Sequence, residues 1–206
     1  MQFNFARLRN IGGVAAFLNA IAAIASLVVA FIFIGPAVMG DPAKLAELAR
    51  VNPAPLIWQD VLKFVSAALA LVLIFILFLL LRERAPGLMR IATGFGCLAV
   101  LCLVANALGS LTALGQTASQ ASNAASISDQ LSRLALVLAF AAIFANGIWY
   151  LLVGWTVRQS DIMPRWLANL SVVLGGLSLL PPLGVIVLVL SIVWSLGLGV
   201  ALWKMK

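Results

Sequence analysis

Residues 161–184, DIMPRWLANLSVVLGGLSLLPPLG, decide the topology of this chain. The segment is apolar, yet its middle holds Asn169, Ser171 and the pair Gly175–Gly176, and it stops at Pro181–Pro182. It can be a transmembrane helix, a half-helix broken around a binding site, or a linker between two spans. The choice among these three determines on which side of the membrane the C-terminus lies. The rest of the sequence provides the evidence for it.

The composition is that of a membrane protein. Of the 206 residues, 64% are hydrophobic and 9% are charged, whereas soluble domains average about 45–50% apolar and about 25% charged residues. The net charge of +7 comes from basic residues at the ends of apolar runs, where they orient helices and meet anionic lipid. The predicted partner is therefore the lipid bilayer, and no nucleic acid is expected.

The absence of histidine from the sequence removes several kinds of chemistry. Within this chain it excludes bis-imidazole haem ligation, histidine-based zinc sites, and Ser-His or Cys-His nucleophilic pairs. Cys97 and Cys102 are separated by about 7.5 Å along one helix, beyond disulfide reach. We therefore predict no catalytic residue, no metal site, no cofactor and no enzymatic activity. Pigments and quinones can bind without a motif, so cofactor-binding residues stay unidentified.

Six apolar runs are candidates to cross a hydrocarbon core about 30 Å thick, which takes about 20 residues. The last two must be separate, because residues 164–203 would form about 60 Å of helix and Pro181–Pro182 breaks it. Residues 164–182 give roughly 28 Å, which just suffices for a crossing. The prediction is an all-α, polytopic transmembrane bundle in one domain, residues 1–206. Its spans are 11–34, 61–81, 89–114, 131–157, 164–181 and 185–203.

The distribution of positive charge supports six spans. With the N-terminus in the cytoplasm, six spans place nine Lys and Arg residues inside and four outside, whereas five spans give seven against six. Cytoplasmic loops carry the excess of basic residues. Both termini are therefore predicted inside, and the same rule argues against a re-entrant hairpin. The predicted location is the bacterial inner membrane.

Two longer connections have different characters. Asp41 followed by Pro42 is an N-cap with a proline at the first helical position. Together with the apolar spacing that follows, it predicts a short amphipathic helix over 42–51 on the outer surface. Residues 115–130 are small and polar without periodicity, and are predicted to be a mobile outer loop.

The ionisable residues nearest to the interior of a span are Asp60 and Lys63, at the outer end of the second span. They are three residues apart and can pair on one helix face. We interpret them as an interfacial ion pair rather than as a proton or cation site.

Small and polar residues recur at helical spacing within the spans. Small residues let helix backbones approach closely, and buried amides hydrogen-bond to neighbouring helices. Helix packing is therefore the preferred interpretation. The alternative is that some amides face one cavity and bind a small polar or amphipathic solute. The residues concerned are Asn19, Ser26, Asn106, Ser110, Asn146, Asn169, Ser171, Gly175, Ser191, Ser195 and Gly199.

The spacing Ser171-x3-Gly175 is typical of a helix contact surface, which favours a continuous fifth span. A span broken around a site is the alternative, and it predicts unwinding at Gly175–Gly176.

Aromatic and basic residues mark the predicted boundaries. Trp58 falls at the outer one, and Trp155, Trp166 and Trp203 fall at the inner one, as in an interfacial belt. A deeper group is expected to pack in the core rather than line a pocket, and it consists of Trp149, Tyr150 and Trp194. An inner loop could hold an anion, although contact with lipid phosphates is preferred, and its charged residues are Arg158, Asp161 and Arg165.

Three segments resemble the bacterial six-span membrane proteins of the domain of unknown function 4386 family. They are ARLRNIGGVAAFLNAIAAIASLV near the N-terminus, NPAP in the long outer loop, and WYLLVGWTVRQSDIMPRWLANLSVVLGG. The last is the most specific, although Met163 stands where a basic residue is usual before the proline. The resemblance implies a six-helix bacterial inner-membrane protein and brings no catalytic residue or ligand.

Three functional hypotheses follow. The first is a non-catalytic accessory or scaffold protein that acts as a homo-oligomer or with other membrane-protein subunits. The second is a carrier or binder of a small, weakly polar or lipid-like solute. The least favoured is an intramembrane enzyme, because the sequence offers no histidine or buried carboxylate to serve as a base.

Overall fold

A computed structural model describes residues 5–118, 124–160, 162–180 and 183–205. The regular structure within these ranges is helical, which confirms the all-α class. The helices are α1 (Phe5–Val28), α2 (Pro36–Met39), α3 (Pro42–Val51), α4 (Ala54–Leu81), α5 (Pro86–Ala118), α6 (Ala124–Ser160), α7 (Arg165–Ser178) and α8 (Gly184–Lys204).

The first apolar run forms one long helical rod. Helix α1 passes directly into a π-helical segment, Val29–Ile34, and the rod ends at Gly35. The φ angle of Gly35 is +86°, in the region that glycine enters most readily. The next elements are short, and α3 begins as its sequence predicts: the Asp41 side chain accepts a hydrogen bond from the Ala43 backbone N–H at 3.0 Å.

Among the described residues, five helical stretches are long and apolar enough to cross a membrane. They are Phe5–Ile34, Ala54–Leu81, Pro86–Gly115, Arg133–Ser160 and Gly184–Lys204. Most extend the predicted spans at their ends, because helical hydrogen bonding continues into the more polar flanks.

The predicted fifth span, residues 164–181, is the shorter helix α7 in the structure, so five described helices and not six are long enough by themselves to cross a membrane. This helix starts after Pro164 and ends at Ser178, so it has 14 residues and is about 21 Å long, less than the roughly 30 Å of a hydrocarbon core. It is nevertheless continuous through Gly175–Gly176, so the alternative of a helix that unwinds there is also wrong. The predicted turn at Pro181–Pro182 lies outside the described residues.

The predicted loop over residues 115–130 is also wrong over most of its length. Helix α5 continues to Ala118 and α6 already begins at Ala124, while residues 119–123 lie outside the described ranges. After Gly115 the segment contains no glycine or proline, and its alanines favour helix. Lack of apolar periodicity therefore did not indicate a break in the helix.

Six helices form a closed ring in chain order. Helices α1, α4, α5, α6, α7 and α8 each pack against the next, and α8 returns to α1. The α1–α8 pair is antiparallel, because Gly12 near the start of α1 lies against Leu202 near the end of α8, and Gly199 lies against Phe17. An antiparallel first and last helix requires an even number of passes, so α7 reverses the chain direction despite its length.

The interior of the ring is filled by side chains. Trp149, Tyr150 and Trp194 are buried and pack together with ring centroids 5.0 to 5.7 Å apart, which confirms their predicted place in the core. Leucines and smaller residues of the buried cluster surround them. Within the described residues, side chains rather than an open passage occupy the centre of the ring.

Candidate polar site between helices α4, α5 and α6

A buried ion pair lies near the beginning of α4. The Lys63 ammonium donates a hydrogen bond to Asp60 Oδ1 at 2.7 Å. Asp60 is only 1% exposed, while the Lys63 side chain is 26% exposed. The predicted pairing is confirmed. The expectation that the chain offers no buried carboxylate is wrong, because Asp60 is buried inside the bundle.

Asn106 of α5 connects this pair to two further helices. The Lys63 ammonium also donates to Asn106 Oδ1 at 2.9 Å. The Asn106 amide in turn donates to the backbone carbonyl of Ala135 in α6 at 2.6 Å. A continuous chain of polar contacts therefore joins α4, α5 and α6 at one level of the bundle.

The second carboxylate oxygen, Asp60 Oδ2, is buried and receives no hydrogen bond within the described structure. The neighbouring Gln59 Oε1 is also buried and receives no hydrogen bond within the described residues. A buried acceptor without a partner is costly, and in native proteins it calls for a bound water, an ion or a functional role. The site can accept one more donor or a proton at Oδ2, next to a cation that already balances its charge.

The other predicted amides lie in separate places. Asn19 donates to Ser195 Oγ at 3.2 Å across the α1–α8 contact. Asn146 lies near Tyr150, one turn away on the same helix and beside the aromatic core. Asn169 is exposed at the α6–α7 end of the bundle. The four amides therefore do not converge on one cavity.

Of the remaining predicted residues, Ser171, Gly175 and Gly199 lie at helix contacts. Ser171 is buried with its hydroxyl unpartnered, and Gly175 lies against Gly147 and Leu151 of α6. Ser191 donates to the Leu188 carbonyl of its own helix. Gly199 contacts α1, while the half-buried members of the set are Ser26 and Ser110.

One hollow in the core is small. This hollow of about 10 Å³ lies among apolar side chains beside Ser171 and Trp194, which is about the space that one water occupies. A solute of several heavy atoms does not fit there in this conformation.

Comparison with protein families assigns the chain. The family described as Domain of unknown function (DUF4386) matches residues 14–205. The chain belongs to this family. No curated protein and no solved structure matches it. The match covers both the Asp60 site and the α6–α8 region of this DUF4386 chain.

A second polar feature of the DUF4386 chain lies at the α6–α7 turn. An open cleft of about 260 Å³ is lined by Arg158, Arg165 and Asn169. Two of these residues belong to the loop in which the sequence suggested an anion or lipid contact. The third charged residue of that loop, Asp161, lies outside the described residues.

Sequence reasoning identified the Asp60–Lys63 pairing and named Asn106, but it did not connect them. The signal it lacked was the relative shift of α4 and α5, which brings Asn106 beside Lys63. The Ala135 carbonyl has no sequence signal at all, because every residue supplies a backbone carbonyl.

Proposed function

We propose that this protein is a non-enzymatic integral membrane protein that works by association, as an accessory or scaffold subunit or as a homo-oligomer. The observation that supports this is the filled interior of the ring, in which Trp149, Tyr150 and Trp194 occupy the centre. A bundle with a filled interior interacts with other molecules through its outer surface. The proposal needs no cofactor and no catalytic residue.

Small residues on the helix surfaces form contacts between helices of the same chain rather than a surface for a partner. Gly12 packs on Leu202, Gly147 on Ser178 and Gly154 on Ser171, all within one molecule. Any association surface therefore lies on the outward apolar faces of the helices, where large side chains such as Ile32, Leu101 and Val137 are exposed.

We place the protein in the bacterial inner membrane with both termini in the cytoplasm. The excess of basic residues on one predicted side supports this orientation. The antiparallel α1–α8 contact agrees with this orientation, because it puts the start of α1 and the end of α8 at the same end of the bundle.

Native mass spectrometry after gentle detergent extraction, with the protein at its natural expression level, tests the association. The expected result is a defined homo-oligomer or a stoichiometric complex. Single cysteines at Ile32, Leu101 and Val137, in a Cys97→Ala/Cys102→Ala background, locate the surface by cross-linking in membranes. Ala107→Cys is the matched control, because Ala107 is fully buried.

One outward face is expected to cross-link and the others are not. A particle that stays monomeric at every concentration, with no partner and no cross-link from any face, contradicts the proposal.

A further inference from the structure

The basic cleft at the α6–α7 turn has a defined construction. Arg158 lies in the last turn of α6, Arg165 is the first residue of α7, and Asn169 follows one turn later. The turn between the two helices brings these three side chains around one concavity of about 260 Å³. The two arginines are exposed and can be reached from outside the bundle.

The groups that line the cleft favour a phosphate. A guanidinium presents several N–H donors in a planar fork that matches phosphate oxygens, and Asn169 adds an amide donor. The adjacent start of α7 contributes in the same sense, because a helix N-terminus attracts anions. Its N-cap residue is Pro164, and no side chain caps it.

Exposed tryptophans indicate that the cleft lies at the level of lipid headgroups. Trp155 lies one turn before Arg158, and Trp166 follows Arg165 directly; both are exposed. Trp166 packs over Gly197 of α8, near the end that also carries exposed Trp203. Tryptophan collects at the boundary between hydrocarbon and headgroups, so a lipid phosphate is available to the cleft while its acyl chains meet apolar rings.

We propose that this cleft is a binding site for the phosphate group of an anionic phospholipid. Arg158 and Arg165 bind the phosphate oxygens, Asn169 donates to the same headgroup, and Trp155 and Trp166 contact the acyl region. The site goes beyond the proposed association function and does not depend on it, because it involves a single chain.

The test uses the full-length protein, delipidated in a neutral detergent, and titrated with phosphatidylglycerol, phosphatidylcholine or inorganic phosphate. Bound lipid is counted by native mass spectrometry, and thermal unfolding is followed in parallel. We expect phosphatidylglycerol to bind in preference to phosphatidylcholine. Arg158→Gln and Arg165→Gln each weaken that binding about fivefold, and the double variant weakens it at least tenfold.

Arg84→Gln is the matched control. It removes the same charge at an exposed position in the α4–α5 turn, which lies at the same end of the bundle because Gly12 packs on Ile76. Its phosphatidylglycerol affinity is expected to stay unchanged. Asn169→Ala tests the cleft independently if an arginine variant fails to fold, because it is a small change at an exposed residue. It is expected to weaken phosphatidylglycerol binding about threefold.

Three results would overturn the proposal. Equal loss in Arg84→Gln would reveal general attraction between a basic surface and acidic lipid. Saturable binding of inorganic phosphate that phosphatidylglycerol cannot displace would assign the cleft to a free anion. Unchanged lipid binding in the folded double variant would remove the site altogether.

Discussion

The Asp60 carboxylate depends on Lys63 to balance its buried charge. It is almost completely buried, one oxygen depends on Lys63, and the other has no hydrogen bond in the described structure. Breaking a buried ion pair by removing one member leaves an uncompensated charge. The two members differ here, because Lys63 is partly exposed and also holds Asn106.

Removing Lys63 is therefore expected to be worse than neutralising Asp60. Lys63→Met leaves a buried carboxylate with no donor and should lower the free energy of unfolding by about 3–5 kcal/mol. Asp60→Asn keeps an acceptor for the ammonium and should cost less than half of that. The double variant Asp60→Asn/Lys63→Met should be more stable than Lys63→Met alone. Thermal unfolding in detergent, followed by circular dichroism, measures all three, and a Lys63→Met protein of wild-type stability would refute this account.

Two predicted amides should differ in their contribution to stability. Asn106 is buried and bonds to a charged donor and to a carbonyl, so Asn106→Leu should cost about 2–3 kcal/mol. Asn19 makes one neutral bond to Ser195, so the coupling in an Asn19→Ala/Ser195→Ala cycle should be about 0.6 kcal/mol. The same unfolding measurement applies. Equal effects at both amides would mean that the polar chain through Asn106 adds nothing beyond ordinary packing.

At the scale of elements, the α6–α7 contact depends on glycine where the two backbones meet. A Cβ atom on Gly175 would lie 2.7 Å from the Gly147 carbonyl oxygen and 2.8 Å from the Leu151 backbone nitrogen. Neither backbone atom can move without displacing its helix. The next residue, Gly176, has open space around the same position.

These neighbouring glycines form a matched pair of variants. Gly175→Ala should destabilise the protein by about 1–3 kcal/mol, because it forces α6 and α7 apart. Gly176→Ala should be neutral or stabilise by up to about 1 kcal/mol, since alanine is the better helix former. Melting temperatures of the two variants in one detergent decide the matter. A Gly175→Ala protein as stable as Gly176→Ala would show that the helices are not in close contact.

The sequence predicts where helices lie better than it predicts which residues of neighbouring helices touch each other. Apolar runs located the long helices and the prolines bounded α7, because both effects are local. The Ser171-x3-Gly175 spacing indicated a contact face, yet it could not say that Gly147 and Leu151 lie opposite, because that depends on helix offsets. The burial of Asp60 could not be predicted for the same reason, because it depends on how α4 is shifted along its neighbouring helices. Residues 115–130 show a different limit, since a segment without a core-facing pattern can still be helical.

At the scale of the whole molecule, the hairpin of α7 and α8 carries charged residues only at its two outer ends, Arg165 and Lys204. Residues 166–203 contain no Asp, Glu, Lys or Arg, including the connection between the helices. The exposed residues around that connection, such as Leu180, Val185 and Ile186, are apolar. The two prolines within it carry no N–H that would need a partner. The apolar composition of this connection allows it to enter the edge of the hydrocarbon, so a short α7 can still complete a pass.

Cysteine labelling in oriented vesicles tests this even number of passes. In the Cys97→Ala/Cys102→Ala background, single cysteines replace exposed Arg84, Val51 and Lys204. Positions 84 and 204 should react from the same, cytoplasmic side, because α1 and α8 are antiparallel and Gly12 also packs on Ile76 of α4. Position 51 should react only from the opposite side. Labelling of position 204 together with position 51 would make α7 a surface helix, leave five crossings, and require α8 to pack parallel to α1.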